Sequence, residues 1–307
     1  MNNKQNQMNK KIAETNISIG LGVYNEERFI SRMIKSIINQ THRNFELIIS
    51  DDCSTDRTYK ICHEFALQDK RIKLHLQKRN IGVVKNLSYL LKNSKFEYFI
   101  YLAGDDFISE NYLEDNIKKL LENPHSSCSA GCHVWEDQDI ISSKISFELN
   151  GNLFQRLNKF LSNSFNATAM NYAVYRKKIM DDCPELEKKF LGHDWKIMCN
   201  AIKHGTFLRS EKSLIVLGRG GISSAPEFMK SEENNSIEKF LPLFEFSKYF
   251  FNTFILNSNS NLNLLQKKIL ILKVIKLNLH LSIMKIINIF RFKKQKPHIK
   301  IGPAYKK

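Results

Sequence analysis

Phe45-Glu46-Leu47-Ile48-Ile49-Ser50-Asp51-Asp52-Cys53-Ser54-Thr55-Asp56 and, about fifty residues on, Tyr98-Phe99-Ile100-Tyr101-Leu102-Ala103-Gly104-Asp105-Asp106 share one plan. Each is a short apolar run, read as a buried strand, that ends in adjacent carboxylates. In an open α/β sheet the C-terminal ends of parallel strands form the mouth where ligands bind, so two such ends can converge on one metal–nucleotide site. The sequence around them keeps the same alternation. Ile17 to Val23 reads as a first strand and Glu26 to Asn39 as a helix with apolar positions at Phe29, Ile30, Met33, Ile34, Ile37 and Ile38. After Asp51, Ser54 or Thr55 is a candidate cap for a helix reaching about Gln68. Ile72 to Leu76 then reads as a third strand, followed by an Asn80-Ile81-Gly82 loop and a helix from Val83 to Asn93, and Tyr112 to Glu122 as a helix after the second acidic cluster. Strand–helix alternation of this kind predicts a mostly parallel, doubly wound α/β domain.

The second half is less regular. Cys128 to Trp135 and Lys212 to Leu217 read as strands, Asn171 to Tyr175 as extended, and Phe154 to Phe165 and Asp194 to His204 as helices. From about Ser231 the character shifts to apolar residues mixed with lysine, which places a boundary there. Residues 1–15 are expected to be flexible, and residues 231–307 to form a helical, basic region.

At 307 residues, with 42% hydrophobic and 25% charged, the chain can bury one large core or one core plus an accessory region. The net charge of +16 is concentrated: thirteen Lys and Arg and no Asp or Glu follow Glu245, leaving 34 basic against 31 acidic residues up to and including it. The interleaved Ile and Leu favour an anionic membrane surface over a solvated domain face as the use of that tail, and nucleic acid least. Leu264 to Phe292 has no clean amphipathic stripe, and Leu277 to Ile283 alternates as a strand would. The six cysteines form neither a paired framework nor a zinc pattern, and suit buried thiols in a reducing cytoplasm. Met1 to Lys11 has no apolar core of a signal peptide, and no stretch has the uninterrupted length of a membrane span.

Several residues carry candidate chemistry. Tyr24-Asn25-Glu26-Glu27, directly after the first strand, exposes a turn where a base or ribose can be read, although such a turn is also a plain helix start. Asp51-Asp52 combines a hydrogen-bond acceptor for a nucleoside with a loop-holding neighbour, or is merely a turn cluster. Adjacent Asp105 and Asp106 repel each other unless a cation is present, and their hard oxygens suit Mg²⁺ or Mn²⁺ bridging to a diphosphate. Gly192-His193-Asp194-Trp195 puts an acid at the start of a helix, as a cap or as a general base beside a flat apolar wall. Gly218-Arg219-Gly220-Gly221-Ile222-Ser223-Ser224 is a cationic segment suited to closing on phosphates.

Taken in order, these residues resemble the family 2 glycosyltransferases of the GT-A fold, over about Ile17 to Ser224. The likeness rests on Tyr24-Asn25-Glu26-Glu27, on Ser36 to Gln40 with Thr41, on the strand and acidic cluster from Phe45 to Asp56, on Asn80-Ile81-Gly82, and on Gly104-Asp105-Asp106. It makes 16–230 a GT-A catalytic domain. It implies that Tyr24, Asn25, Glu26, Asp52, Asn80, Gly82, Asp105 and Arg219 line the nucleotide site, with Asp52 on the nucleoside. It further implies that Asp105, with Asp106, holds Mn²⁺ or Mg²⁺ and that Asp194 is the catalytic base. Two positions depart from the family: Ala103 stands where the aspartate-any-aspartate motif has its first acid, and His193 stands where a Glu is frequent.

The implied reaction is inverting transfer of a sugar from a nucleotide-sugar, with UDP-sugars favoured, to a hydroxyl of a glycan or lipid-linked acceptor. The setting it suggests is bacterial capsule, lipopolysaccharide or other surface-glycan synthesis, in the cytoplasm or on the inner face of its membrane. A nucleotidyltransferase would instead need a Gly-rich basic loop after the first strand, where Glu26 and Glu27 stand. An inactive GT-A scaffold at the membrane surface would have no use for Asp52, Asp105 and Asp194 together.

Overall fold

The computed structural model describes residues 2–136, 147–183, 190–218, 237–238 and 241–294. Helix α1 (Asn2–Glu14) precedes a run of β1 (Ile17–Val23), α2 (Ile30–Ile38), β2 (Phe45–Asp51), α3 (Thr58–Gln68), β3 (Ile72–Leu76), α4 (Val83–Asn93), β4 (Tyr98–Ala103), β5 (Phe107–Ile108) and α5 (Tyr112–Glu122). Next come β6 (Ser126–Trp135), α6 (Leu153–Asn163), the short α7 (Thr168–Asn171), β7 (Val174–Arg176), α8 (Lys177–Asp181), α9 (His193–His204) and β8 (Thr206–Leu217). The chain closes on α10 (Phe244–Phe250), a π-turn at Phe251–Ile255 and α11 (Leu264–Lys294).

Eight strands form one sheet in the order β3-β2-β1-β4-β7-β6-β8-β5. The four strands from β3 to β4 are parallel, while β7 runs antiparallel to both β4 and β6, and β5 antiparallel to β8. Side chains alternate across each parallel strand, so both faces need cover. Ile17, Ile19, Leu21, Leu47, Ile49, Tyr98, Ile100 and Leu102 face the layer of α1, α2, α3 and α5. Ile48, Phe99 and Tyr101 face the layer of α4, α6, α9, α10 and α11. Gly20 is where α4 comes close: a Cβ there would stand 2.9 Å from the Phe99 ring and 3.1 Å from Leu90 Cβ.

Four expectations change. Residues 1–15 are not a loose arm: Ile12 is buried and Met8 half-buried against the α1-side core, and Asn44 donates to the Ala13 carbonyl at 2.5 Å. Helix α2 starts at Ile30 rather than Glu26, because Asn25 sits in the left-handed region at φ 56° and the chain turns before it coils. Helix α3 starts at Thr58, whose amide donates to Asp56 Oδ1 at 2.9 Å, while Ser54 and Thr55 are spent on another loop. Leu277 to Ile283 is helical, inside α11. The boundary near Ser231 lies outside the described residues. Beyond it, Leu243, Phe246, Phe250, Phe254, Leu270, Val274 and Leu277 share one core with Trp195, Met198 and Phe160.

Candidate active site

Pairing of β1 with β2 on one side and β4 on the other aligns Val23 with Asp51 and Gly22 with Ala103, so three acidic or polar loops leave the sheet side by side. The first two interlock. Asn25 N donates to Ser54 Oγ at 2.9 Å, and Asn25 Oδ1 accepts from Thr55 N at 2.8 Å. Glu26 N donates to Thr58 Oγ1 at 2.7 Å and Glu27 N to Asp56 Oδ2 at 3.1 Å, while Arg57 N donates back to Glu27 Oε2 at 3.1 Å. Tyr24-Asn25-Glu26-Glu27 and the Asp51–Asp56 cluster therefore behave as one rigid rim.

Asp51 and Asp52 divide their work. Asp51 Oδ1 accepts from Ser54 N at 2.7 Å and holds its own turn, while its Oδ2 is buried with no partner and burial pushes its carboxyl above the ordinary range. Asp52 reaches across to the loop before α4, where Oδ1 accepts from Ile81 N at 2.7 Å and Oδ2 from Gly82 N at 2.9 Å. Asn80 Oδ1 accepts from the same Gly82 amide at 3.1 Å. Gly82 has φ 85°, a conformation that glycine tolerates without strain, and an added Cβ would meet open space. Asp52, Asn80 and Gly82 thus line one side of the opening at the N-terminus of α4, a place that favours anions.

The third loop carries the charge problem. Asp105 and Asp106 are both buried, and Glu26 packs over Gly104 so closely that a Cβ there would lie 3.0 Å from Glu26 Cγ. Burial, then the charges of Asp105, Asp106 and Asp56, raise Glu26 to about 8. Burial and the neighbouring Asp105 raise Asp106 to about 7. Asp106 Oδ1 accepts from Gly218 N at 2.8 Å. Its Oδ2 is buried without a hydrogen-bond partner, although the Tyr172 phenol stands beside it. Gly218 docks hard on this turn, since a Cβ would lie 2.4 Å from the Asp105 carbonyl oxygen. Arg219 follows at once in sequence but lies outside the described residues.

Among the described residues no three His, Cys, Asp or Glu side chains gather as a protein-only metal cage. Asp105 and Asp106 fit the other mode of binding Mg²⁺ or Mn²⁺, in which one or two carboxylates share the ion with substrate phosphates and water. An orphaned buried carboxylate oxygen and three crowded acids are what such an ion would relieve.

Asp194 lies in the first turn of α9, behind Gly192, whose φ of 86° turns the chain into the helix. It is half-exposed, and Asn171 Nδ2 donates to its Oδ2 at a long 3.4 Å. Tyr172, the next residue, feels the charges of both Asp106 and Asp105. The turn from α7 to β7 therefore touches both groups through consecutive residues, Asn171 meeting Asp194 and Tyr172 the acidic pair. Trp195 points inward and is buried, ringed edge-on by Phe160, Phe165 and Phe246 at centroid distances of 6.4, 5.4 and 5.7 Å, so it supports the helix and offers no open face.

Sequence reading missed three contributors. Arg32 on α2 donates to the Asp105 carbonyl at 3.0 Å, pairs with Glu136 at the end of β6 and lies over the Phe107 ring at 4.5 Å. Asn171 and Tyr172 fall in a segment that reads from sequence only as extended chain. Ser36, Gln40 and Thr41 proved structural: Gln40 Oε1 accepts from Leu113 N at 3.0 Å, its Nε2 donates to Ser109 O at 2.8 Å, and Thr41 N donates to Glu110 O at 2.8 Å. They fasten α2 to the segment after Asp106.

A parallel half-sheet with acidic loops at its mouth, extended by antiparallel strands, is the architecture of GT-A nucleotide-sugar transferases. The structure of a Staphylococcus aureus TarS fragment with UDP-GlcNAc superposes with a TM-score of 0.56, at 22% identity, over 84% of this chain and 79% of that one. The mannosyltransferase PcManGT from Pyrobaculum calidifontis, in complex with GDP-Man and Mn²⁺, gives 0.54 at 12% identity over 89% and 79%. The sequence model of glycosyl transferase family 2 matches residues 18–183, more than half of the chain, which belongs to that family. Among curated relatives, an uncharacterized glycosyltransferase of Haemophilus influenzae is 36% identical over 35% of this chain and 43% of its own length. Glycosyltransferase GlyG of Streptococcus pneumoniae is 25% identical over 64% and 57%. The matched region spans well under two thirds of these relatives.

Proposed function

We propose that this family 2 enzyme transfers a sugar, with inversion, from a UDP-sugar to a hydroxyl of a glycan or lipid-linked acceptor in bacterial surface-polysaccharide synthesis. The observation that supports this reading is that consecutive residues meet the two acidic groups, Asn171 at Asp194 and Tyr172 at Asp105 and Asp106. A base held near a diphosphate site suits one in-line displacement.

Tyr24, Asn25, Glu26, Asp52, Asn80 and Gly82 hold the nucleoside and its phosphates, and the family resemblance alone assigns Arg219 to the diphosphate. Asp52 takes part chiefly by fixing the loop that cradles the nucleotide, with lone pairs left for the base. Asp105 and Asp106 would hold Mn²⁺ or Mg²⁺, which supplies positive charge against the diphosphate as it departs. Asp194 accepts the proton of the acceptor hydroxyl as that oxygen bonds to the anomeric carbon and the bond from that carbon to the diphosphate oxygen breaks. The proton ends on Asp194, the electron pair on UDP, and the configuration inverts.

UDP is favoured because TarS binds UDP-GlcNAc and UDP, while a GDP-sugar is the donor of the mannosyltransferase, so the base is the part to test. A panel of nucleotide-sugars with Mn²⁺, assayed for nucleotide release with and without hydroxyl acceptors, is expected to select a UDP-sugar. Asp194→Asn should keep UDP binding by calorimetry while transfer falls about 10²–10⁴-fold. Transfer that survives Asp194→Asn within twofold would refute the assignment of the base.

A further inference from the structure

Helix α11 has two apolar faces. Leu270, Val274 and Leu277 are buried against α6 and the π-turn, as the core requires. At about 100° per residue, the opposite side of the helix presents Leu265, Leu272, Leu279 and Ile283 within a strip a few tens of degrees wide. They are 67%, 66%, 55% and 55% exposed. Ile275 and Ile287 widen the strip, and the exposed Lys268 and Lys276 border it on either side. Lys273, turned toward the body, is occupied with Asn158 and Ser162 of α6.

A soluble helix normally sets polar residues opposite its buried stripe. Here leucine occupies that place, in a region where thirteen basic residues follow Glu245 and no acid offsets them. A second copy of the chain is a poor cover, since pairing the strips would bring Lys268 and Lys276 of each copy together without a counter-charge. Charge and apolarity are complementary to one surface. No helix among the described residues is long and apolar enough to cross a membrane, so this helix would lie on one and not through it.

We infer that the outward face of α11 rests in the plane of an anionic bilayer, with Leu265, Leu272, Leu279 and Ile283 among the acyl chains and Lys268 and Lys276 at the headgroups. The face continues toward the catalytic side: His280 of α11 meets the Phe165 ring at 5.4 Å, Phe165 is itself 52% exposed, and its other side meets Trp195, next to Asp194. A protein seated in this way offers Asp194 to hydroxyls carried at the membrane, which makes a lipid-linked glycan the acceptor class. That last step rests on the reading of Asp194 as the base; the docking itself does not.

The test is co-sedimentation of the full chain with phosphatidylcholine vesicles and with vesicles that contain about one quarter phosphatidylglycerol. Binding is expected to the anionic vesicles and at least about tenfold weaker to the neutral ones. Leu272→Glu with Leu279→Glu should abolish it, and Lys268→Gln with Lys276→Gln should weaken it about 30-fold. All four side chains are exposed, and if the glutamate pair fails to fold by circular dichroism the glutamine pair still decides. Equal binding to both vesicle types, binding kept by the glutamine pair, or no vesicle binding would each overturn the inference. So would a dimer, seen by ultracentrifugation, that Leu272→Glu dissociates. Calorimetry of the wild-type chain with UDP and Mn²⁺ runs alongside. Nucleotide binding without vesicle binding refutes the docking and leaves the catalytic reading intact, and the reverse result does the opposite.

Discussion

Asp51→Asn and Asp52→Asn are neighbouring, isosteric changes that the structure predicts to behave in opposite ways. Both oxygens of Asp52 accept backbone amides, from Ile81 at 2.7 Å and Gly82 at 2.9 Å, and the side chain is buried. An amide there turns one acceptor into a donor facing a donor and removes the charge from the other bond. With bonds to a charged acceptor contributing about 1.5–3 kcal/mol each, the loss should be about 3 kcal/mol. For a chain of this size that is a drop in Tm of about 4–6 °C. Asp51 uses only Oδ1, to Ser54, and its Oδ2 is buried and unpartnered. Its carboxyl is already biased toward the neutral form by burial, so a neutral amide costs it little, within about 1 kcal/mol. Thermal melts at pH 7 read both variants, and UDP titrations of each ask whether loosening the Asn80–Gly82 loop also costs nucleotide. The reasoning fails if Asp51→Asn is the more damaging of the two, or if Asp52→Asn melts with the wild type.

Arg32→Met keeps the apolar stem over Phe107 but loses the bonds to the Asp105 carbonyl and Glu136, and should raise the Mn²⁺ concentration for half-maximal activity about 3–10-fold, with UDP affinity in the absence of metal unmoved. Gly218→Ala puts a methyl 2.4 Å from the Asp105 carbonyl oxygen and should displace the Asp106 turn, lowering Tm by about 2–5 °C; an unchanged melt would mean that Gly218 sits elsewhere. Burial alone would raise Glu46, but bonds from Lys73 at 2.7 Å, Ser18 at 2.6 Å and the Lys95 amide at 3.1 Å outweigh it and hold the carboxyl below its ordinary 4.5. Its stabilisation is therefore full above pH 4.5 and lost as pH falls through the lower folded value. Glu46→Gln should flatten the acid limb of a plot of Tm against pH, and an unaltered limb would count against this pairing.

Much of the first half was legible because its parallel strands are buried on both faces. Parallel strands buried on both faces leave apolar runs, and Phe45 to Ser50 and Tyr98 to Leu102 are such runs, so β1 to β4 and the helices between them could be placed within a few residues. The second half has no such regularity. Strand β7 is three residues long, β8 carries exposed Glu211 and Lys212 in its middle, and β6 slips register against β8 between Gly131 and Cys132. Helix α11 concealed itself in another way. Apolar residues on two opposite sides cancel as a periodic signal, so a helix of 31 residues read as an irregular mixture with a strand inside it. At the site, Asp105 and Asp106 stood out because adjacent acids need a reason. Arg32 and Tyr172 did not, since their contribution is where packing puts them: one meets a main-chain carbonyl, the other a carboxylate distant in sequence.

The crowding of acids is imposed by the scaffold and not by any ligand, which bears on how the site works. Glu26 cannot swing away easily, because its amide is held by Thr58 and its methylenes pack on Gly104. Asp106 is fixed through Gly218 N, and the Asp105 turn is clamped through its carbonyl by Arg32, itself held by Glu136. Three carboxyls are thus kept close by bonds made elsewhere, and burial first, then their mutual charge, raise the proton affinity of Glu26 and Asp106. A rigid, preloaded acidic pocket gains more from a cation than a flexible one, since nothing has to be ordered when the ion arrives. It also repels a bare diphosphate, so donor and cation should bind as a pair: UDP affinity should rise steeply with Mn²⁺, and that steepness should vanish in Asp105→Asn. UDP bound equally well with and without Mn²⁺ by the wild type would show that the pocket does not need the ion to accept the diphosphate.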